Sequence, residues 1–311
     1  MDNIICIAGP TASGKTALAI ALAKELNGEV VSCDSMQVYK YMNIGTAKPT
    51  AEEMQGIPHH MLDMAEPAED FSVSRYCEMA TPIVDNILSR GKTAIIAGGT
   101  GLYMDALIRG NSFAPYPSTG MREKLEAQAD AEGMESMLAL LRTIDPDSAA
   151  RLHTADRKRI LRALEVYYET GETITEHNLK TQQIPPKYQP VWFGLEDADR
   201  ADLYARIDSR VDRMLEDGLL DEIKGLLAMG IPEKCTAMQA IGYKEFLGAL
   251  NGQCSVEIAA AQVKQSSRHY AKRQLTWFRR NPAVHWLRRE KGEKNLEILT
   301  RARQILAEFD K

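Results

Sequence analysis

Gly9-Pro10-Thr11-Ala12-Ser13-Gly14-Lys15-Thr16 follows directly on Ile4-Ile5-Cys6-Ile7-Ala8, and this junction decides the fold. The apolar run reads as a buried strand and the glycine-bounded stretch as a tight turn. The Ala- and Leu-rich residues from Ala17 to about Leu26 read as a helix laid on a sheet. The spacing is that of a phosphate loop, G-x-x-x-x-G-K-[ST]. Gly9 and Gly14 let the main chain wrap closely around phosphate oxygens, with Pro10, Thr11, Ala12 and Ser13 forming the turn between them. Lys15 adds a fixed positive charge, and the Thr16 hydroxyl is the usual magnesium ligand. A di- or polyphosphate is the expected ligand, and Mg2+ the expected cofactor.

The next strand says what the phosphate is for. Glu29-Val30-Val31-Ser32-Cys33 is β-branched and runs into Asp34-Ser35-Met36-Gln37-Val38-Tyr39. In an open parallel sheet, ligands gather outside the carboxyl ends of strands, so Asp34 is expected beside the phosphate loop. A carboxylate there could hold metal through water, take a proton from an acceptor nucleophile, or cap the following turn. A third strand, Thr93-Ala94-Ile95-Ile96-Ala97, runs into Gly98-Gly99-Thr100-Gly101-Leu102-Tyr103. Phosphate-loop hydrolases usually end such a strand with an aspartate for magnesium, and here glycines and Thr100 stand in its place. No Asn-Lys-x-Asp signature of a guanine site occurs. The cradle is present and the hydrolase equipment thin, which points to transfer chemistry in which the phosphate end is held while another group moves.

These blocks, together with Asn43-Ile44-Gly45-Thr46-Ala47-Lys48-Pro49 and Pro58-His59-His60-Met61-Leu62-Asp63, resemble the tRNA dimethylallyltransferase family. Arg159-Ile160-Leu161-Arg162-Ala163-Leu164-Glu165-Val166, Ala240-Ile241-Gly242-Tyr243-Lys244-Glu245 and Tyr270-Ala271-Lys272-Arg273-Gln274-Leu275-Thr276-Trp277-Phe278 extend the resemblance, in family order, over nearly the whole chain. It implies transfer of a dimethylallyl group from dimethylallyl pyrophosphate to N6 of adenosine 37, next to the anticodon of a tRNA, with release of pyrophosphate. The residues suit that chemistry. As the allylic carbon becomes cationic and pyrophosphate departs, loop amides, Lys15 and magnesium stabilise the developing charge. The resemblance makes Asp34 the general base for the amine, with Thr11 and Thr100 orienting the amine and the leaving oxygen. It makes Arg210 a planar grip on pyrophosphate. It further implies tRNA contacts at Asp34, Ser35, Met36, Gln37, Thr100, Arg122, Lys158, Arg159, Ile160, Leu161, Arg162, Lys272 and Arg273.

The fold expected is α/β: a P-loop NTPase-like parallel sheet core flanked by helices, with a mostly α-helical insertion. Phe113 to Ser118 reads as a linker leaving the sheet domain, Gln182 to Lys187 as one returning, and Pro190 to Leu195 as a further strand. The core is therefore assigned to 1–112 and 190–311, with basic C-terminal helices. Residues 113–189 form the insertion, with Arg122 and Arg159 to Arg162 on its RNA-facing side. A hinged insertion closing over the anticodon loop would help to extract the target base.

Of 311 residues, 44% are hydrophobic and 26% charged, ordinary for a globular chain of this length. The net charge of −5 looks wrong for an RNA binder until it is mapped. From Ile258 to Arg289 there are eight Lys or Arg and no Asp or Glu, with Lys264, Arg268, Lys272 and Arg279 on one helical stripe. Such local concentration is what phosphate-backbone binding needs. No run approaches the roughly 18 apolar residues of a membrane span, and Met1 leads almost at once into the first strand, so no leader peptide is expected. The five cysteines are scattered and lack zinc spacing, unlike the C-terminal finger of the family's eukaryotic members. A bacterial-type cytoplasmic monomer is expected. Three competing classes are a small-molecule kinase, an adenylate isopentenyltransferase acting on a free nucleotide, and a non-catalytic RNA-binding module. The basic C-terminal region argues against the first two, and a phosphate loop paired with Asp34 against the third.

Overall fold

The computed structural model describes residues 3–110 and 119–309. Its centre is a six-stranded, all-parallel sheet of β1 (Ile4–Ala8), β2 (Gly28–Cys33), β3 (His59–His60), β4 (Thr93–Gly98), β5 (Val191–Asp197) and β6 (Val284–Arg289). The spatial order is β3-β2-β4-β1-β5-β6. Every residue of β1 and β2 is buried, as strands covered on both faces must be. One face of the sheet packs on α1 (Lys15–Glu25) and the C-terminal helix, α14 (Asn295–Phe309), through Ile7, Leu22, Ile95, Phe193, Leu287 and Ile298. Between these helices in the chain lie α2 (Ala51–Met54), α3 (Val73–Ser89) and α4 (Gly101–Arg109). The buried Tyr76 of α3 stacks on Tyr103 of α4, with centroids 4.7 Å apart, and donates to the Ser32 carbonyl of β2.

Two compact units emerge: 1–110 with 187–311, and 111–186. The second contains α5 (Met121–Glu132), α6 (Met134–Ile144), α7 (Pro146–Ala149), α8 (Arg157–Thr170) and α9 (Ile174–Gln183). These enclose a core of their own around Leu125, Met137, Leu141, Ile160, Leu161 and Leu164. The linker read at 113–118 lies outside the described residues. After β5 the first unit continues through α10 (Arg200–Glu216), α11 (Leu219–Ala228), a short 3-10 turn (Ala237–Gln239), α12 (Tyr243–Leu250) and α13 (Val256–Phe278).

The four strands read from sequence are all present, and α1 begins two residues earlier than expected, at Lys15. Two strands escaped that reading. β3 is only two residues long, too short to show a period. β6 lies inside the acid-free basic stretch, which is not one helix to its end: α13 stops at Phe278 before Asn281-Pro282, and Arg288 and Arg289 belong to the strand.

Candidate active site

Strand order builds the site. Because β4 lies between β1 and β2, the carboxyl ends of three neighbouring strands come together: the phosphate loop after β1, Gly99-Thr100 after β4, and Asp34 after β2. This is where the sheet reverses its direction of growth, the usual place for a ligand crevice in such folds. Thr11, Lys15, Asp34, Arg210, Tyr270 and Gln274 all line one cavity there, of about 710 Å³.

The phosphate loop is held from outside. Arg206 donates through Nε to the Ala12 carbonyl (3.0 Å) and grips the buried Asp197 carboxylate with both oxygens at 2.6 Å. Arg289 reaches the Ser13 carbonyl at 3.5 Å. With carbonyls engaged outward, the N–H groups at the start of α1 are left without intrahelical acceptors and with the positive end of the helix dipole behind them. Ala12 holds a left-handed φ of 61° in this turn. Ser13, 3% exposed, has a buried hydroxyl with no hydrogen-bond partner among the described residues. A buried hydroxyl so placed suits an anion held in the loop. Lys15 donates from Nζ to the Pro10 carbonyl (2.7 Å), and burial, reinforced by the charge of Arg210 and opposed by Asp34, pulls its pKa down to about 8.

Asp34 caps a turn and still has an oxygen to spare. Its Oδ1 accepts from the N–H of Met36 (2.8 Å) and of Gln37 (3.4 Å), while no hydrogen bond among the described residues reaches Oδ2. Thr100 stands between Asp34 and the phosphate loop. Its hydroxyl accepts from Ser35 N–H (3.1 Å), and its own N–H donates to the Cys33 carbonyl (3.2 Å). The Tyr270 phenol lies beside Thr100; burial and then the Asp34 charge push its pKa up to about 12, opposed by its interaction with Thr100. Gln37 is less available than expected for a tRNA contact. Its Oε1 accepts from Ser32 (2.9 Å), and its Nε2 donates to the carbonyls of Thr46 (3.3 Å) and Ala47 (3.2 Å). Arg210 is half-buried and lines this cavity. With Thr16 and Arg213 it also lines a second cavity, of about 900 Å³.

Sequence reasoning missed Gln274. Only 5% exposed, it accepts from Thr11 N–H through Oε1 (2.9 Å) and donates to the Gly99 carbonyl through Nε2 (3.0 Å), so it spans the two threonine-bearing loops. It also explains the glycine that stands where a hydrolase would carry aspartate: a Cβ at Gly99 would lie 2.0 Å from Gln274 Nε2. Tyr270 is likewise a cavity residue. The signal was their spacing of four on α13, which puts both polar groups on one face.

The basic stripe divides in two. Lys264 pairs with Asp212 (2.6 Å), Arg268 with Asp208 (2.7 Å) and Arg279 with Glu196 (2.9 Å), so these cations tie α13 and its end to α10 and β5. Lys272 and Arg273 are exposed and form no ion pair among the described residues, and Arg273 lines the cavity. In the helical unit, Arg122 bonds Glu126 (2.9 Å), Arg162 bonds Glu165 (2.9 Å), and Lys158 and Arg159 are exposed. Ile160 and Leu161 correct an expectation: their side chains are 0% exposed and belong to that unit's core, where no nucleic acid can touch them.

Comparisons with known proteins agree with one another. The family model described as IPP transferase matches residues 37–281. A tRNA dimethylallyltransferase of Acetivibrio thermocellus is 45% identical over 310 residues, 99% of each chain. One from a Thermoanaerobacter species is 46% identical over 286 residues, 91% of each. Among solved structures, a tRNA isopentenylpyrophosphate transferase of Bacillus halodurans superposes with a TM-score of 0.75 at 41% identity, covering 100% of this chain and 97% of the other. A eukaryotic dimethylallyltransferase acting on tRNA superposes with a TM-score of 0.82 at 30% identity, covering 99% and 80%.

Proposed function

The chain belongs to the tRNA dimethylallyltransferase family, and from that premise we propose that it moves a dimethylallyl group from dimethylallyl pyrophosphate to N6 of adenosine 37 in tRNA. It is a prenyltransferase. In the step, the N6 lone pair forms a bond to C1 of the donor, the C1–O bond breaks, and pyrophosphate leaves with that electron pair. The amine proton passes to the Asp34 carboxylate. The observation that carries the reading is the free Oδ2 of Asp34 in the same cavity as the loop amides, Lys15 and Arg210. One end stabilises a leaving anion and the other accepts a proton, with Thr100 and Tyr270 between them.

Mg2+ fits this site as a partner of the substrate. Thr16 is exposed at the mouth of the loop, and among the described residues no group of three or more His, Cys, Asp or Glu is placed to hold a metal. The ion would therefore be held by the Thr16 hydroxyl, pyrophosphate oxygens and water, and would add positive charge for the leaving group. The exposed Lys158, Arg159, Lys272 and Arg273 are proposed to meet phosphates of the anticodon stem-loop. No helix among the described residues is long and apolar enough to cross a membrane; a cytoplasmic monomer acting on RNA is the form we propose.

The test is incubation with labelled dimethylallyl pyrophosphate and either unmodified tRNA or AMP. Label is expected in tRNA alone. Label in AMP but not tRNA, or phosphate transfer from ATP, would overturn the reading.

A further inference from the structure

Glu222 of α11 does not line the cavity, yet it organises part of its wall. Its Oε2 accepts from the N–H groups of Asn43 (2.7 Å) and Ile44 (2.8 Å); its Oε1 accepts from Gly45 N–H (3.1 Å) and from the Tyr243 phenol (2.6 Å). Three successive backbone N–H groups thus close on one carboxylate, as they would on a bound anion. Tyr243 is 0% exposed, and its ring lies so close to Gly45 that a Cβ there would be 2.5 Å from a ring carbon. Burial, with the Glu222 charge, raises the phenol's pKa and keeps it a donor.

The other side of the same segment faces the proposed chemistry. Asn43, Ile44, Gly45 and Thr46 line the cavity. The Thr46 and Ala47 carbonyls hold the Gln37 side-chain amide, and the Gln37 N–H donates to Asp34 Oδ1. Lys48 closes the segment at its far end, donating to the Tyr39 carbonyl (2.8 Å), to Asn43 Oδ1 (3.0 Å) and to Asp63 (2.5 Å). Hydrogen bonds at each end and the main chain of residues 43–47 between them therefore connect Glu222 to Gln37 and, through it, to Asp34. Among the described residues, none of these bonds touches residues 9–16.

We infer that Glu222, seated by Tyr243, is a positioning residue for the acceptor half of the reaction: it fixes residues 43–47 and, through Gln37, the orientation of the Asp34 carboxylate, while leaving the pyrophosphate site untouched. The inference rests on the reading of Asp34 as proton acceptor. Glu222→Gln preserves size but removes the charge and turns an amide NH2 toward backbone N–H groups. Misplacement of a reacting group by an ångström can cost about 100-fold. We therefore expect kcat with tRNA to fall about 10- to 100-fold in Glu222→Gln and less in Tyr243→Phe, with the donor KM within about twofold of wild type.

The assay uses the full chain, dimethylallyl pyrophosphate and unmodified tRNA, with thermal unfolding of each variant measured alongside. A lowered unfolding temperature with kcat unchanged would overturn the inference, because it marks a purely structural contact. A rise in donor KM matching the fall in kcat would overturn it too. If Glu222→Gln does not fold, Tyr243→Phe carries the same split. Wild-type enzyme that fails to prenylate tRNA overturns the functional reading instead; wild-type transfer with unaltered variants overturns only this inference.

Discussion

The role proposed for Lys15 carries a cost that pH exposes. Its pKa is pulled down to about 8 in the free protein, chiefly by burial. A bound pyrophosphate favours the charged form, so above pH 8 binding must take up a proton. We expect the donor KM to be flat below pH 8 and to rise by up to about tenfold per unit above it. A Lys15→Arg variant should bind more weakly and lack that inflection, since guanidinium does not titrate there. A KM with no inflection between pH 7 and 9 in wild type would contradict this. Ser13 makes a related point about stability. Its buried hydroxyl has no hydrogen-bond partner among the described residues, so Ser13→Ala should stabilise the free protein by roughly 1 kcal/mol. The same change should reduce the thermal protection conferred by pyrophosphate. Calorimetry with and without pyrophosphate checks both; loss of stability in the free variant would mean the hydroxyl is already satisfied. Asp34 shows how one residue can answer two readings of a sequence, since turn capping uses Oδ1 and leaves Oδ2.

At the scale of elements, α13 shows most plainly what a sequence can and cannot disclose. Its cations were visible, but which of them are neutralised depends on α10, whose Asp208 and Asp212 are remote in the chain. The division has a measurable consequence. Lys272→Ala and Arg273→Ala should each weaken tRNA binding and reduce its salt-dependence slope by about one, whereas Lys264→Ala should leave the slope unchanged and act on stability. Equal slopes for all three variants would show that ion pairing does not decide which cations meet RNA. The two loops joined by Gln274 teach the same lesson. The apolar runs and phosphate-loop spacing were local signals and could be read. The glutamine that spaces the two loops left only its four-residue spacing from Tyr270 as a signal, because its partners lie 263 and 175 residues away.

For the whole molecule, parallel order follows from alternation of strands and helices, but the position of β4 between β1 and β2 does not. That crossover is what puts Thr100 between the loop and Asp34. Helical periodicity at 120–181 disclosed the inserted unit, while treating Ile160 and Leu161 as RNA contacts mistook a core face for a surface. The sheet also carries a charged lock at its amino ends: Glu29, 3% exposed, is bonded by Arg90, Lys92 and His60, which hold its carboxyl far below the usual range. A depressed folded-state pKa stabilises the protein above the unfolded value of about 4.5 and is lost as pH falls below it. Thermal stability should therefore decline between pH 4.5 and more acid values, and less steeply in Glu29→Gln, whose stability at pH 7 should be lower than that of the wild type. Parallel pH profiles for the two proteins would exclude Glu29 as the source. The pairing of a leaving-group cradle with a proton acceptor is tested most directly by single-turnover transfer to an anticodon stem-loop RNA, comparing wild type with Asp34→Ala at saturating donor. Wild type should place one dimethylallyl group on adenosine 37 for each pyrophosphate released. Asp34→Ala should be slowed by about 100- to 10,000-fold with RNA affinity preserved; transfer at the wild-type rate would contradict the role given to that carboxylate.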